Sequence, residues 1–420
     1  MSAAGRWPAA LVCVALALSA TGCSSGPARG GTTVIRVPAD APTPAEAVAR
    51  SRPGDVVLLA PGTYPGELTV PPGHEGITIR GADRNTVVFD GRDRASTGIA
   101  VTADGVTVEN LTLHSFQGNG LLWKSVHGYA ARFVTVWNVG GYGLYAVDSR
   151  DGVVEHTVVS GAADAAFYVG ECHPCHAVLR DDTAMLSGLG YSGTNAGGDL
   201  VVRDSTFDRN GTGILPNSFD DERDPPQRDA AFLHNRVVGS GTVQTPASDP
   251  VDGLIGVGIG VAGGRNDVVR GNFVEGSDRY GIAVFATIQP DGGAWRPVGN
   301  SVRDNRVRGS GVADLALAAG AAGGNCFTGN RAATSLPAGL ERIRPCGGAT
   351  PPGGDGGVSR DLEIVTPLAF ERSGVHPSYR TMPPPGAQPP MPAPPSAASA
   401  AAVASAAGLP DADPRRRQSL

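Results

Sequence analysis

The chain has 420 residues and a formal net charge of -6, enough length for a large core and no basic excess with which to hold nucleic acid. Glycine (60) and proline (34) abound while aromatics reach only 5%, which suits many short strands joined by tight turns rather than long helices. Lys124 is the single lysine among 34 basic residues, a bias read as compositional rather than functional.

At the N-terminus, Arg6 supplies a positive region and Trp7 to Ala20 an apolar stretch shorter than the roughly 20 residues a membrane span needs. It ends in Ala20-Thr21-Gly22-Cys23, small residues before a cysteine, which resembles a bacterial lipobox. The resemblance implies that residues 1–22 are a signal peptide and that Cys23 carries the lipid. The chain would then be exported and held on the outer face of the cell membrane by acyl chains worth about 0.8 kcal/mol per buried methylene. Residues 23–33 form the tether. Thr43-Pro44-Ala45-Glu46 places an N-cap before proline with a carboxylate three residues on, so Pro44 to Ser51 is expected to be a short helix closing the end of the body.

The body announces itself as a repeat. A small residue followed by an apolar one recurs at Gly98-Ile99, Gly120-Leu121, Gly143-Leu144, Ala166-Phe167, Gly190-Tyr191, Gly213-Ile214, Gly258-Ile259 and Gly281-Ile282, in steps of 22, 23, 23, 24, 23, 45 and 23. A fixed period of this size marks a solenoid, and the step of 45 is one rung with an insertion of about 22 residues. Apolar residues alternate within each period, as in Val106-Thr107-Val108 and Val134-Thr135-Val136, so the units are strands. Such strands bury their inward faces by stacking in parallel, coil on coil, as a parallel β-helix. A polar column of Asn110, His156, Asp182, Ser205, Asn235, Asn272, Asn305 and Asn330 fits that scheme as a structural ladder, because Asn and Asp tolerate sharp corners and stacked amides bond to one another.

Over Val34 to Cys346 the chain resembles the pectate lyase-like superfamily, in its generic right-handed β-helix branch of exported bacterial proteins. The run from Pro53-Gly54-Asp55 through Gly62-Thr63-Tyr64 is similar to the way many members enter their first coil. The resemblance implies an all-β, right-handed parallel β-helix over residues 34–346. It carries over no catalytic set: Asp181-Asp182 and Asp220-Asp221 lack the companion segments of the polygalacturonase-like hydrolases. Gly62-Thr63-Tyr64-Pro65-Gly66-Glu67 is one residue too long for the methylesterase-like opening, and nothing groups Arg180 or Arg203 with acids as a lyase requires. Residues 347–420 form a tail rich in Pro, Gly and Ala that reads as disordered, with Leu362 to Phe370 placed to dock as an extended strand and Arg380 to Pro392 as a wall-spanning or partner-binding polyproline stretch.

Three constellations bear on chemistry. Cys172-His173-Pro174-Cys175-His176 has the spacing of c-type haem attachment and of a metal site. At a turn between rungs in an oxidising compartment, a Cys172–Cys175 disulfide is the expectation, with a second bridge at Cys326–Cys346 worth about 3 kcal/mol. Next to the small-residue column lies an outward stripe: Tyr145, Tyr168 and Asn217 at alternate strand positions, Asp148, Glu171 and Asn195 at strand ends. Rungs about 4.8 Å apart approach the spacing of sugar residues, so this stripe is the candidate glycan-binding surface. The third is the acidic insertion, Asp220 to Asp224 with Asp249 and Asp252, where calcium is the conceivable ligand although no cofactor is demanded. Two functions follow: a membrane-anchored β-helix that binds a polysaccharide or surface partner without chemistry, or a polysaccharide lyase, epimerase or hydrolase acting on an extended glycan. A third, likeness to β-helix factors of copper-enzyme maturation, has only the Cys and His content behind it.

Overall fold

The computed structural model describes residues 32–247, 255–289, 291–318, 321, 323–347 and 376–392. The signal peptide and Cys23, Asp249 and Asp252, and Leu362 to Phe370 lie outside them. The body is a right-handed parallel β-solenoid of about 13 turns at about 23 residues per turn. The coils stack their strands into three parallel sheets of 12, 10 and 11 strands, the first, second and third in the order the chain visits them. The coil formed by Val106–Glu109, Thr112–Phe116 and Leu121–Lys124 shows the plan.

Local sterics explain the period. The small-residue column sits inside the corner between the second and third sheets, where a Cβ at Gly143 would stand 2.4 Å from Val159 Cγ1 and 2.5 Å from the Ala166 carbonyl oxygen. A Cβ at Gly281 would come within 2.2 Å of Val307. Inward residues such as Leu121, Trp123, Leu144, Phe167, Tyr191 and Ile214 fill one continuous core. Burial of this kind contributes about 1.5–3 kcal/mol per large apolar side chain. At the open end, Thr43 Oγ1 accepts the Glu46 N–H (3.2 Å) and starts the helix Pro44–Arg50, which buries Ala47 and Val48 against the first coils. The step of 45 is one coil, since Ile214 pairs directly with Ile259; its extra length lies after Asn217 and after Val238.

The polar column divides into two. Asn110 and His156 have φ of 57° and 53° and belong to a left-handed corner column with Asp181, Asp204 and Asp304. The ladder proper runs one residue later, from Thr157 through Asp182, Ser205, Asn235, Asn272 and Asn305 to Asn330, each backbone N–H donating to the next side chain at 2.8–3.1 Å. A tight corner needs both a residue tolerant of positive φ and an inward hydrogen-bonding side chain, and adjacent residues supply them.

The C-terminal segment corrects another expectation. Residues 376–392 are not a free polyproline stretch but cross the outside of the second sheet. The Asn138 amide donates to the carbonyls of Arg380 (3.2 Å) and Met382 (3.1 Å), Ser160 to that of Pro383 (3.4 Å), and Asn85 exchanges two bonds with the Gln388 backbone (3.0 and 2.8 Å). Proline-rich backbone keeps carbonyl acceptors free, and the amides of Asn85 and Asn138 and the hydroxyl of Ser160 meet them.

Candidate functional site

The outward stripe and the first insertion form one cluster. On the third sheet, Tyr145 pairs in register with Tyr168, and Tyr168 with Ser192, so their side chains stack along the outer face. Tyr142, two residues before Leu144, belongs to the same face. The three rings meet at centroid distances of 4.3 Å (142 and 145), 5.0 Å (142 and 168) and 4.9 Å (145 and 168).

At the end of four successive third-sheet strands the chain turns outward through a left-handed residue: Ser125 (φ 55°), Asp148 (50°), Glu171 (56°) and Asn195 (48°). The insertion Ser218–Gln227 then folds back over this corner. Asn195 clamps it, its amide donating to the carbonyls of Phe219 (2.6 Å) and Glu222 (3.2 Å) while its Oδ1 accepts the Phe219 N–H (3.0 Å). The Tyr168 hydroxyl donates to Glu222 Oε2 (3.0 Å), and Arg223 pairs with Asp148 at 2.7 Å. Asp220 accepts the Trp295 indole N–H (2.8 Å), which ties the loop to the hairpin Thr287–Trp295. Gln227 closes the base, its N–H donating to Ser218 and its amide to buried Asp267 (2.9 Å).

This packing changes the exposure expected of the stripe. Tyr168 (4% exposed), Asn195 (0%) and Asn217 (5%) are buried, because the insertion and the apolar outer layer around Leu215 cover them. Asn217 serves the interior, donating to Ser192 and to the Leu215 carbonyl. Tyr145, Asp148 and Glu171 stay half-buried, and Glu222 joins them. Alternation predicted the direction of these side chains but not the loop that lies over them. Tyr142 and Asp164 were not singled out, and Glu222 was placed only in the acidic insertion; strict alternation back from inward Leu144 would point Tyr142 inward, so its place beside Tyr145, like those of Asp164 and Glu222, depends on the tertiary path.

The electrostatics follow from crowding acids beside tyrosines. Burial, the neighbouring Glu171 and Asp221 raise the Glu222 carboxyl above the usual carboxylate range, against the pull of the hydrogen bonds from Tyr168 and Thr194. Burial next to Glu171, Glu222 and Asp164 pushes Tyr145 up to about 12. Tyr142, bonded to Asp164, and Tyr168 are raised further, burial being the largest cause in each. The tyrosines are therefore neutral donors at neutral pH, and Glu222 has a heightened hold on its proton.

Cys172–Cys175 and Cys326–Cys346 are both disulfides, so the Cys-x-x-Cys-His thiols are consumed in a bridge. His173 reaches Asp229 (3.3 Å), and His176 reaches Asp151 (3.2 Å). Among the described residues no group of three or more His, Cys, Asp or Glu is arranged to hold a metal ion.

No family model matches the sequence. No curated protein matches it either. Solved structures do match. The A-module of a mannuronan C-5 epimerase from Azotobacter vinelandii is 14% identical over 67% of this chain and 85% of that one, with a TM-score of 0.38. The catalytic domain of a GH87 alpha-1,3-glucanase in complex with nigerose is 10% identical over 73% and 66%, with a TM-score of 0.43. A thermostable GH87 alpha-1,3-glucanase from Streptomyces thermodiastaticus is 15% identical over 73% and 70%, with a TM-score of 0.36.

Proposed function

We propose that this chain is an exported, lipid-anchored β-solenoid that binds an extended polysaccharide at the corner between the third and first sheets. The observation that carries the reading is the cluster of three tyrosines with Glu171, Asp148 and the insertion-borne Glu222, which unites aromatic faces and hydrogen-bonding groups at one half-open place. Tyr145 is the stacking surface, and Glu171, Glu222 and Asp148 with its Arg223 partner face the sugar hydroxyls. The two disulfides suit an oxidising compartment, in keeping with export and with Cys23 as the anchor.

A second reading is favoured by the raised proton affinity of Glu222. A carboxyl with a heightened hold on its proton beside a second carboxyl group, that of Glu171, is the kind of pairing by which general acids and bases act on glycosidic bonds, with the Tyr168 hydroxyl holding Glu222 in place. One experiment separates the readings: incubation of the full chain with a panel of polyuronates and neutral glycans at high salt, scored for binding and for product. Tyr145→Ala is expected to weaken binding of the glycan found about tenfold, on the scale of one aromatic contact. If product forms, Glu222→Gln should abolish it while binding persists. Binding unchanged in Tyr145→Ala would move the site elsewhere.

A further inference from the structure

The solenoid shows how it satisfies a column of arginines when the column serves only the fold. On the first sheet, Arg80, Glu109, Arg132, Glu155 and Arg180 follow one another in register, acid between bases. Arg80 pairs with Glu109, and Glu155 takes both Arg132 (2.8 Å) and Arg180 (2.9 Å). Over these five rungs charge alternates and each rung neutralises its neighbours; Arg203, next in register after Arg180, pairs instead with Asp204 beside it.

On the second sheet, in the later coils, the same kind of column lacks its acids. Arg236 pairs in register with Phe273, Phe273 with Arg306, and Arg306 bridges to Arg331. All three arginines are exposed, and among the described residues none has a carboxylate within ion-pair reach. Arg306 and Arg331 stand on adjacent rungs, about 4.8 Å apart along the stack, where like charges repel. Phe273 occupies the place of a glutamate. Its ring takes the guanidinium carbons of Arg236, Arg308 and Arg306 at 4.8, 5.3 and 5.7 Å from its centroid, a cation–π arrangement that holds the forks in position without neutralising them. The carboxylate in this group is Glu275, which pairs with Arg308 and shows how an acid fits beside the ring.

We propose that this face binds a linear polysaccharide bearing carboxylates, running along the solenoid axis over Arg236, Arg306 and Arg331. Guanidinium forks donate to carboxylates in bidentate fashion, and a rung spacing near that of one sugar residue lets neighbouring uronate units meet Arg306 and Arg331 on adjacent rungs, with Arg236 two rungs before Arg306. The free arginines tolerate their mutual repulsion because a ligand supplies the missing acids. The surface lies on a different sheet from the tyrosine cluster and does not depend on that site.

The test is retention of the full chain on immobilised polygalacturonate as salt is raised, with inorganic polyphosphate and neutral dextran as parallel matrices. The wild type is expected to be held on polygalacturonate at low salt and released as salt screens the pairs. Arg236→Gln/Arg306→Gln/Arg331→Gln should lose at least about tenfold in affinity, the scale of one charge-assisted bond or more. Glu275→Gln, which frees Arg308, should raise retention. The same triple variant should keep any glycan binding of the tyrosine cluster that persists at high salt, so this surface and the tyrosine site fail separately. Unchanged retention of the triple variant, retention on polyphosphate but not polygalacturonate, or no retention of the wild type at low salt would each overturn the proposal.

Discussion

At the corner between the first and second sheets, Asn235, Asn272, Asn305 and Asn330 stack with their side chains inward and bond to one another. At the corner between the third and first sheets, Asp148, Glu171 and Asn195 stack as regularly, but their backbones are left-handed and their side chains turn outward. The inward ladder is closed: each amide also donates to a carbonyl of the preceding coil at 2.9 Å. The outward column instead holds an insertion, through Asn195 to Phe219 and Asp148 to Arg223. Similar polar residues at similar spacing thus serve stability in one corner and hold an inserted loop over a candidate site in the other. The direction of the side chain decides, since a buried polar atom must be bonded within the fold while an outward one is available to a loop or ligand.

The largest effect should come from breaking the closed ladder. Asn272→Ala removes the acceptor of the Asn235 N–H and the donor to the Phe232 carbonyl, leaving two buried backbone groups unpaired at about 1–3 kcal/mol each. Urea denaturation should show a loss of about 3 kcal/mol or more. A change below 1 kcal/mol would mean that water replaces the amide and that the ladder is not the stabilising element of its corner.

Asp267 sharpens the comparison because it belongs to an inward ladder with Asn300 and Asn325, yet also anchors the insertion through Gln227. Burial raises its carboxyl from 3.8 to about 7, outweighing the bonds from Ala230 and Gln227. Its Oδ2 and Gln227 Oε1 are both without a donor, and both would lie 2.2 Å from a Cβ at Gly264, so they are near neighbours that a proton on Asp267 would join. Because the folded state holds this proton more tightly than the unfolded chain, its stability contribution is fully present below pH 3.8 and is lost as pH rises through about 7. The slope from this group can approach about 1.4 kcal/mol per pH unit. Asp267→Asn, whose amide can donate to Gln227 at any pH, should flatten that slope and be at least as stable as the wild type at neutral pH. An unchanged pH profile of unfolding would show that Asp267 is ionised throughout.

What was legible in the sequence follows from the same division. The small-residue column, the strand period and the capping helix were readable because their causes are local: a clash at Gly143, alternation along a strand, a hydroxyl at Thr43. The ladder was misplaced by one residue at Asn110 and His156 because polar character alone does not separate a corner residue from the inward one after it. At the candidate site, periodicity predicted that Tyr145 and Tyr168 would share a face. It carried no information on the path of residues 218–227, so the burial of Tyr168, Asn195 and Asn217 and the arrival of Glu222 beside them were invisible. Composition likewise marked the C-terminal region as unable to fold alone, without revealing that Asn85, Asn138 and Ser160 offer residues 376–392 a bonding row.

The smallest stability effect, and the one most specific to the outward corner, is expected from Asn195→Ala. The side chain makes three bonds, all to backbone of the insertion carried by the next coil, and none of them joins the strands of one coil to those of the next. Its loss therefore acts on the loop: the Phe219 N–H and carbonyl regain water when the insertion lifts, which limits the cost to about 1–2 kcal/mol. Far-UV circular dichroism and the main denaturation transition should hardly move, while limited proteolysis within 218–227 should accelerate about tenfold. Lifting the loop also withdraws Glu222 from Tyr168, so ligand binding at the tyrosine cluster should weaken although Asn195 itself is buried. If proteolysis of the loop is unchanged while the main transition falls by 3 kcal/mol or more, the outward corner is as much a part of the fold as the inward ladder, and the division between them fails.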